Sequence, residues 1–80
     1  MDKELYKIIQ ESKKNGQRTF VFTSLGDKDY GSKAVIREGE PVWISPDTSF
    51  FNENLAQIKE INKSGMIEIS GNKVYVERIC

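Results

Sequence analysis

Residues 66–77 read Met66-Ile67-Glu68-Ile69-Ser70-Gly71-Asn72-Lys73-Val74-Tyr75-Val76-Glu77. On either side of Gly71-Asn72, apolar and polar residues alternate with period two, the pattern of a half-buried strand. A Gly-Asn pair supplies the positive φ angles that a two-residue hairpin turn demands. A turn at Gly71-Asn72 sets Ser70 opposite Lys73, Ile69 opposite Val74 and Ile67 opposite Val76. Glu68 then faces Tyr75, and Met66 faces Glu77. The four aliphatic side chains share one side of the ribbon, and a slip by one residue would scatter them over both.

Working outward, Phe51, Leu55, Ile58 and Ile61 or Asn62 recur at helical spacing and form one apolar stripe. The pattern predicts a single amphipathic helix capped by Asp47, Ser49 or Asn52 and stopped by Lys63 and Gly65. Its stripe is expected to lie on the Ile67/Ile69/Val74/Val76 face, making the nucleus of the core.

The N-terminal part adds a helix over residues 2–14, with a narrow stripe of Leu5, Ile8 and Ile9, a cap at Asp2 and Lys13-Lys14 at the C-terminal end of the dipole. Arg18 to Leu25 reads as a strand with Phe20 and Phe22 toward the core and Thr19, Val21 and Thr23 on the other side. Lys33–Arg37 and Val42–Ser45 form a hairpin about Glu38-Gly39-Glu40-Pro41. Arg37 is then opposite Val42 and Ile36 opposite Trp43. The expected order is α-β-β-β-α-β-β: one small α+β domain spanning 1–80, with an antiparallel sheet of about five strands and two helices.

Eighty residues with 38% hydrophobic and 30% charged side chains suit one globular domain. No run reaches the roughly 20 apolar residues that a membrane-spanning helix requires. MDKELYKIIQ has no apolar core of a signal peptide, so the expectation is a cytoplasmic protein with no membrane partner.

The chemistry-bearing residues are few. There is no histidine, and the only cysteine is Cys80, which removes the commonest proton shuttle and a disulfide and leaves one thiol at the end of the chain. No Gly-x-Ser-x-Gly elbow and no phosphate-cradling glycine pattern occurs. Asp27 and Asp29 are spaced like the first ligands of a calcium loop, but Gly31 and Ser32 occupy its fifth and sixth positions and no helices flank it. The expectation is therefore no enzyme, no cofactor and no metal.

Twelve basic and twelve acidic groups cancel, whereas phosphate-binding proteins usually carry a basic excess. The rival to protein binding is nucleic-acid binding by the basic N-terminal segment, using Lys13, Lys14 and Arg18 together with Lys73 and Arg78. The order α-β-β-β-α occurs in double-stranded-RNA-binding domains. That family presents lysines where Phe51-Asn52-Glu53-Asn54 stands here, and it has no trailing hairpin. A winged helix shares the helix-then-hairpin sequence but needs three helices before the wing.

The remaining signal is apolar. Met66, Tyr75 and Ile79 fall on the hairpin face opposite the aliphatic one, and Trp43 takes a comparable place in the middle hairpin. Aromatic residues and methionine are enriched at interface cores. The expected function is a non-catalytic module that binds a protein through Trp43, Met66, Tyr75 and Ile79, with a homodimer through free sheet edges as one form. The small size, balanced charge and lysine-rich composition suit an accessory protein of a phage or mobile element that inhibits a host factor.

Overall fold

The computed structural model describes residues 3–80, so the expected cap at Asp2 lies outside the described residues. Helix α1 (Lys3–Asn15) leads into β1 (Thr19–Ser24), β2 (Lys33–Arg37) and β3 (Glu40–Ile44). Two single-turn helices, α2 (Phe50–Glu53) and α3 (Leu55–Ile58), precede β4 (Gly65–Ile69) and β5 (Asn72–Arg78). The five strands form one antiparallel sheet in the order β3-β2-β1-β5-β4. The fold is of the expected α+β class.

Alternation along the strands assigns the two sheet faces. On one face, Phe20, Phe22, Ala34, Ile36, Ile69, Val74 and Val76 meet Phe50, Phe51 and Ile58 in the main core, with Leu55, Ile61 and Ile67 at its margin. Phe51 packs edge-on against both Phe22 and Phe50, with ring centroids 6.3 and 5.1 Å apart. The stripe that begins at Phe51 therefore does lie on the aliphatic face of the last hairpin. On the opposite face Val21 and Val35 are covered by Leu5, Ile8 and Ile9 of α1.

The last hairpin departs from the expected register. The turn is Ser70-Gly71, with φ of 50° and 75°, and Ile69 stands opposite Asn72, Glu68 opposite Lys73, Ile67 opposite Val74 and Met66 opposite Tyr75. The turn has moved by one residue and each pairing by two, which leaves Ile67, Ile69, Val74 and Val76 on one face. The reason is Asn72. Its buried side-chain amide donates to Ser24 Oγ (2.9 Å) and its carbonyl accepts the Lys28 N–H (3.1 Å), so it is a strand residue tied to the β1–β2 loop.

The expected single helix after Phe51 is broken at Asn54, which has φ −121° and ψ 23°. Asn54 Nδ2 donates to the Phe50 carbonyl at 2.7 Å, taking the acceptor that a continuing helix would use. Its Oδ1 accepts the Ser70 hydroxyl at 2.6 Å, which fastens the helical segment to the hairpin turn. Helical structure ends at Ile58, and Gly65 opens β4 instead of stopping a helix.

The start of α2 is also capped from a distance. Ser49 occupies the N-cap position without a side-chain bond, while Asp29 Oδ2 accepts the Phe50 and Ser49 N–H groups at 2.8 and 2.9 Å. Those two bonds, Phe50 first, hold the Asp29 carboxyl below its ordinary value. Asp29, read as half of a calcium-loop pattern, thus serves as a cap.

The middle hairpin turns at Glu38-Gly39 with Arg37 opposite Glu40 and Ile36 opposite Pro41. A bulge at Val42 then puts Trp43 opposite Val35 and Ile44 opposite Ala34. Trp43 therefore sits on the α1 face, and the expected pairings of Ile36 with Trp43 and of Arg37 with Val42 do not form. Pro41 has no N–H to give, and β3 is an edge strand where none is needed.

Candidate functional site

The α1 face of the sheet is only partly roofed. Arg37, at the end of β2, anchors the helix: its Nε donates to the buried Ser12 hydroxyl (2.9 Å) and Nη2 to the Ile8 carbonyl (3.0 Å), with Glu11 at 3.9 Å. These bonds hold α1 over β1 and β2. The β5 and β4 half of the same face is left open. There Met66 and Tyr75 are 57% and 41% exposed.

The corrected register makes Met66 and Tyr75 direct cross-strand neighbours. They form a non-hydrogen-bonded pair, the type in which facing Cα atoms approach to about 4.5 Å and side chains meet most closely. Glu68 and Lys73 form the next pair toward the turn on the same face. Along β5 the strip continues through Glu77 to Ile79, by alternation.

Between this strip and α1 runs a groove of about 240 Å³ lined by Leu5, Tyr6, Ile9, Val21, Lys33, Glu77 and Ile79. Tyr6 stands on its helical wall and is 54% exposed. Its ionisable lining groups are Tyr6, Lys33 and Glu77, and the Lys33 ammonium donates to the Thr23 hydroxyl at 2.8 Å. The volume is below the 300–1,000 Å³ of typical pockets for drug-sized ligands, and the largely apolar walls suit an inserted apolar side chain. A second hollow of about 230 Å³, over Lys28, Asp29, Ser49, Phe50 and Glu53, surrounds the Asp29 cap.

Of the residues singled out in the sequence, Met66 and Tyr75 come together, while Ile79 is half-buried against the Leu5/Val21/Val35 cluster and lines the groove. Trp43 does not belong to this surface. It is half-buried beneath α1 beside Val35, and its Nε1 donates to Glu4 Oε1 at 2.8 Å. Tyr6 escaped the sequence reading because it lies beside the Leu5/Ile8/Ile9 stripe rather than in it. Its placement one turn before Ile9 was the available signal.

The basic residues are only partly brought together: the pairing of Phe20 with Arg78 puts Arg78 at the end of the sheet where Arg18 lies, while Lys73 stands apart. Lys73 and Arg78 project from opposite faces of β5, and five residues of strand separate them by about 17 Å. Lys13 and Lys14 close α1, near the end of the sheet where Arg18 precedes β1. Acidic groups interrupt that end: Glu38 accepts the Arg18 N–H at 2.6 Å, and Glu11 faces Arg37. Among the described residues no helix is long and apolar enough to cross a membrane.

Fold and surface together define a class: a small α+β protein with a five-stranded antiparallel sheet, packed by α2 and α3 on one face and partly by α1 on the other. Compared with protein-family models, curated proteins and solved structures, the chain matches none.

Proposed function

We propose that this protein is a non-catalytic binding module that receives a protein partner on the open half of the α1 face. The observation that carries this reading is the Met66–Tyr75 pair, exposed, adjacent and continuous through β5 with the groove at Tyr6 and Ile79. Aromatic residues and methionine supply much of the binding energy in interface cores, and a charged rim of Lys33, Lys73, Glu68 and Glu77 suits a partner of mixed charge. The groove, walled by Leu5, Ile9, Val21 and Ile79, accommodates one apolar side chain of that partner.

Capture from cells of the source organism tests the reading, with Tyr75→Ala and Met66→Ala compared with the unaltered chain. A partner retained by the unaltered protein and lost by both folded variants is expected. If both variants keep every partner, the surface is wrong. Retention on DNA or RNA that falls steeply between about 50 and 200 mM salt would instead favour nucleic-acid binding.

A further inference from the structure

The two edges of the sheet are built differently. On β3, Pro41 removes a donor and the bulge at Val42 breaks the repeat, two devices that blunt an edge against pairing. Strand β4 has neither. With a two-residue turn at Ser70-Gly71, Ile69 and Asn72 exchange both ladder bonds, and alternation turns Ile67 and Gly65 toward β5 as well. The N–H and C=O groups of Met66 and Glu68 therefore point away from the sheet, and among the described residues they have no partner.

We infer that β4 pairs with β4 of a second copy about a two-fold axis at Ile67, joining two sheets into one of ten strands. The inference concerns the main-chain groups of the β4 edge, whereas the proposed partner-binding face uses the side chains of Met66 and Tyr75. Outward groups at Met66 and Glu68 limit antiparallel registers to three. Pairing Glu68 with Glu68 of the second copy opposes like charges, which is destabilising. Pairing Met66 with Met66 shifts the strands so that Glu68 lies beyond β4 of the other copy. Pairing Met66 with Glu68 of the second copy overlaps all of Gly65–Ile69. It forms four main-chain hydrogen bonds and places Ile67 against its own counterpart. That contact extends the main core, at whose margin Ile67 lies half-buried in the single chain. Each Glu68 keeps Lys73 as its neighbour within its own hairpin. An isologous contact of this kind closes on itself.

Light scattering and sedimentation of the full chain from about 1 µM to about 1 mM, a range covering weak to moderate association, test the inference. A dimer is expected, with amide hydrogen exchange at Met66 and Glu68 slowing as concentration rises. Glu68→Pro removes an outward N–H that the chain's own ladder does not use, so it should fold and associate at least roughly tenfold more weakly. Tyr75→Ala, which tests the partner-binding face, should leave the dimer intact. A monomer throughout the range overturns the inference, as does a dimer whose Met66 and Glu68 amides exchange at the monomer's rate. Should Glu68→Pro fail to fold, the exchange measurement on the unaltered chain decides by itself. If the edge accepts only an extended peptide of another protein, the second copy is the wrong occupant.

Discussion

A Cβ built on Gly26 would overlap the Oδ1 of Asn72, lie 2.7 Å from its Cγ and 3.1 Å from the Lys73 nitrogen. The β1–β2 loop and the final hairpin are fitted to each other at this point, with the glycine backbone lying against a buried amide. The Leu25 N–H donates to the Lys73 carbonyl at 2.8 Å beside it.

Gly26→Ala should therefore destabilise the protein by about 1–3 kcal/mol, as overpacking of a closed contact does. Asn72→Ala loses the bonds to Ser24 and Lys28, with a loss of similar size, about 1–3 kcal/mol. The double variant should be less unstable than the sum, because removing the Asn72 side chain relieves the clash. Urea unfolding of the four proteins measures this, and additive losses would show that the two residues do not meet.

Asn54→Ala replaces the residue that interrupts the helical segment with the best helix former. Helical signal in far-ultraviolet circular dichroism should rise as α2 and α3 fuse. Stability should nonetheless fall by about 1 kcal/mol, since the bonds to Phe50 and Ser70 are lost and the propensity gain offsets only part. An unchanged spectrum would mean that Asn54 does not cause the break.

Asp29 sets a pH dependence whose sign follows from its lowered pKa. The folded state holds this carboxyl below the ordinary value of 3.8, so its contribution is complete above that value. It is lost as pH falls through the lower folded-state value. Asp29→Asn keeps an acceptor for the Phe50 and Ser49 amides, and asparagine tolerates the φ of 51° at this position. Denaturation midpoints recorded from about pH 5 to about pH 2 should fall less steeply for the variant. Parallel curves would exclude Asp29 from the acid transition.

Trp43 and the Met66–Tyr75 pair should separate cleanly. Trp43→Ala should destabilise by roughly 2 kcal/mol, because the indole is packed under α1 and bonded to Glu4. Met66→Ala and Tyr75→Ala should stay within about 1 kcal/mol of the parent, as exposed side chains do. Thermal unfolding checks both, and a stable Trp43→Ala would return the tryptophan to the candidate surface.

What the sequence determined by itself was the order of elements and, outside the bulged strand β3, the face to which each strand residue belongs. Phe20 and Phe22 point away from Val21, and Ile67, Ile69, Val74 and Val76 stay together, because alternation is a local property of the pleated backbone. It survives a register change of two. The turn at Ser70-Gly71, the break at Asn54 and the capping by Asp29 were decided by tertiary structure. Each involves a polar side chain with a partner far along the chain: Asn72 with Ser24, 48 residues away, Asn54 with Ser70 as well as with the nearby Phe50 carbonyl, and Asp29 with the amides of Ser49 and Phe50. The same holds for the candidate site. Alternation assigned Met66 and Tyr75 to one face, while only the docking of α1 decided that they would be open and Trp43 covered. Helix position over a sheet is set by contacts such as Arg37 with Ser12, which no local spacing encodes.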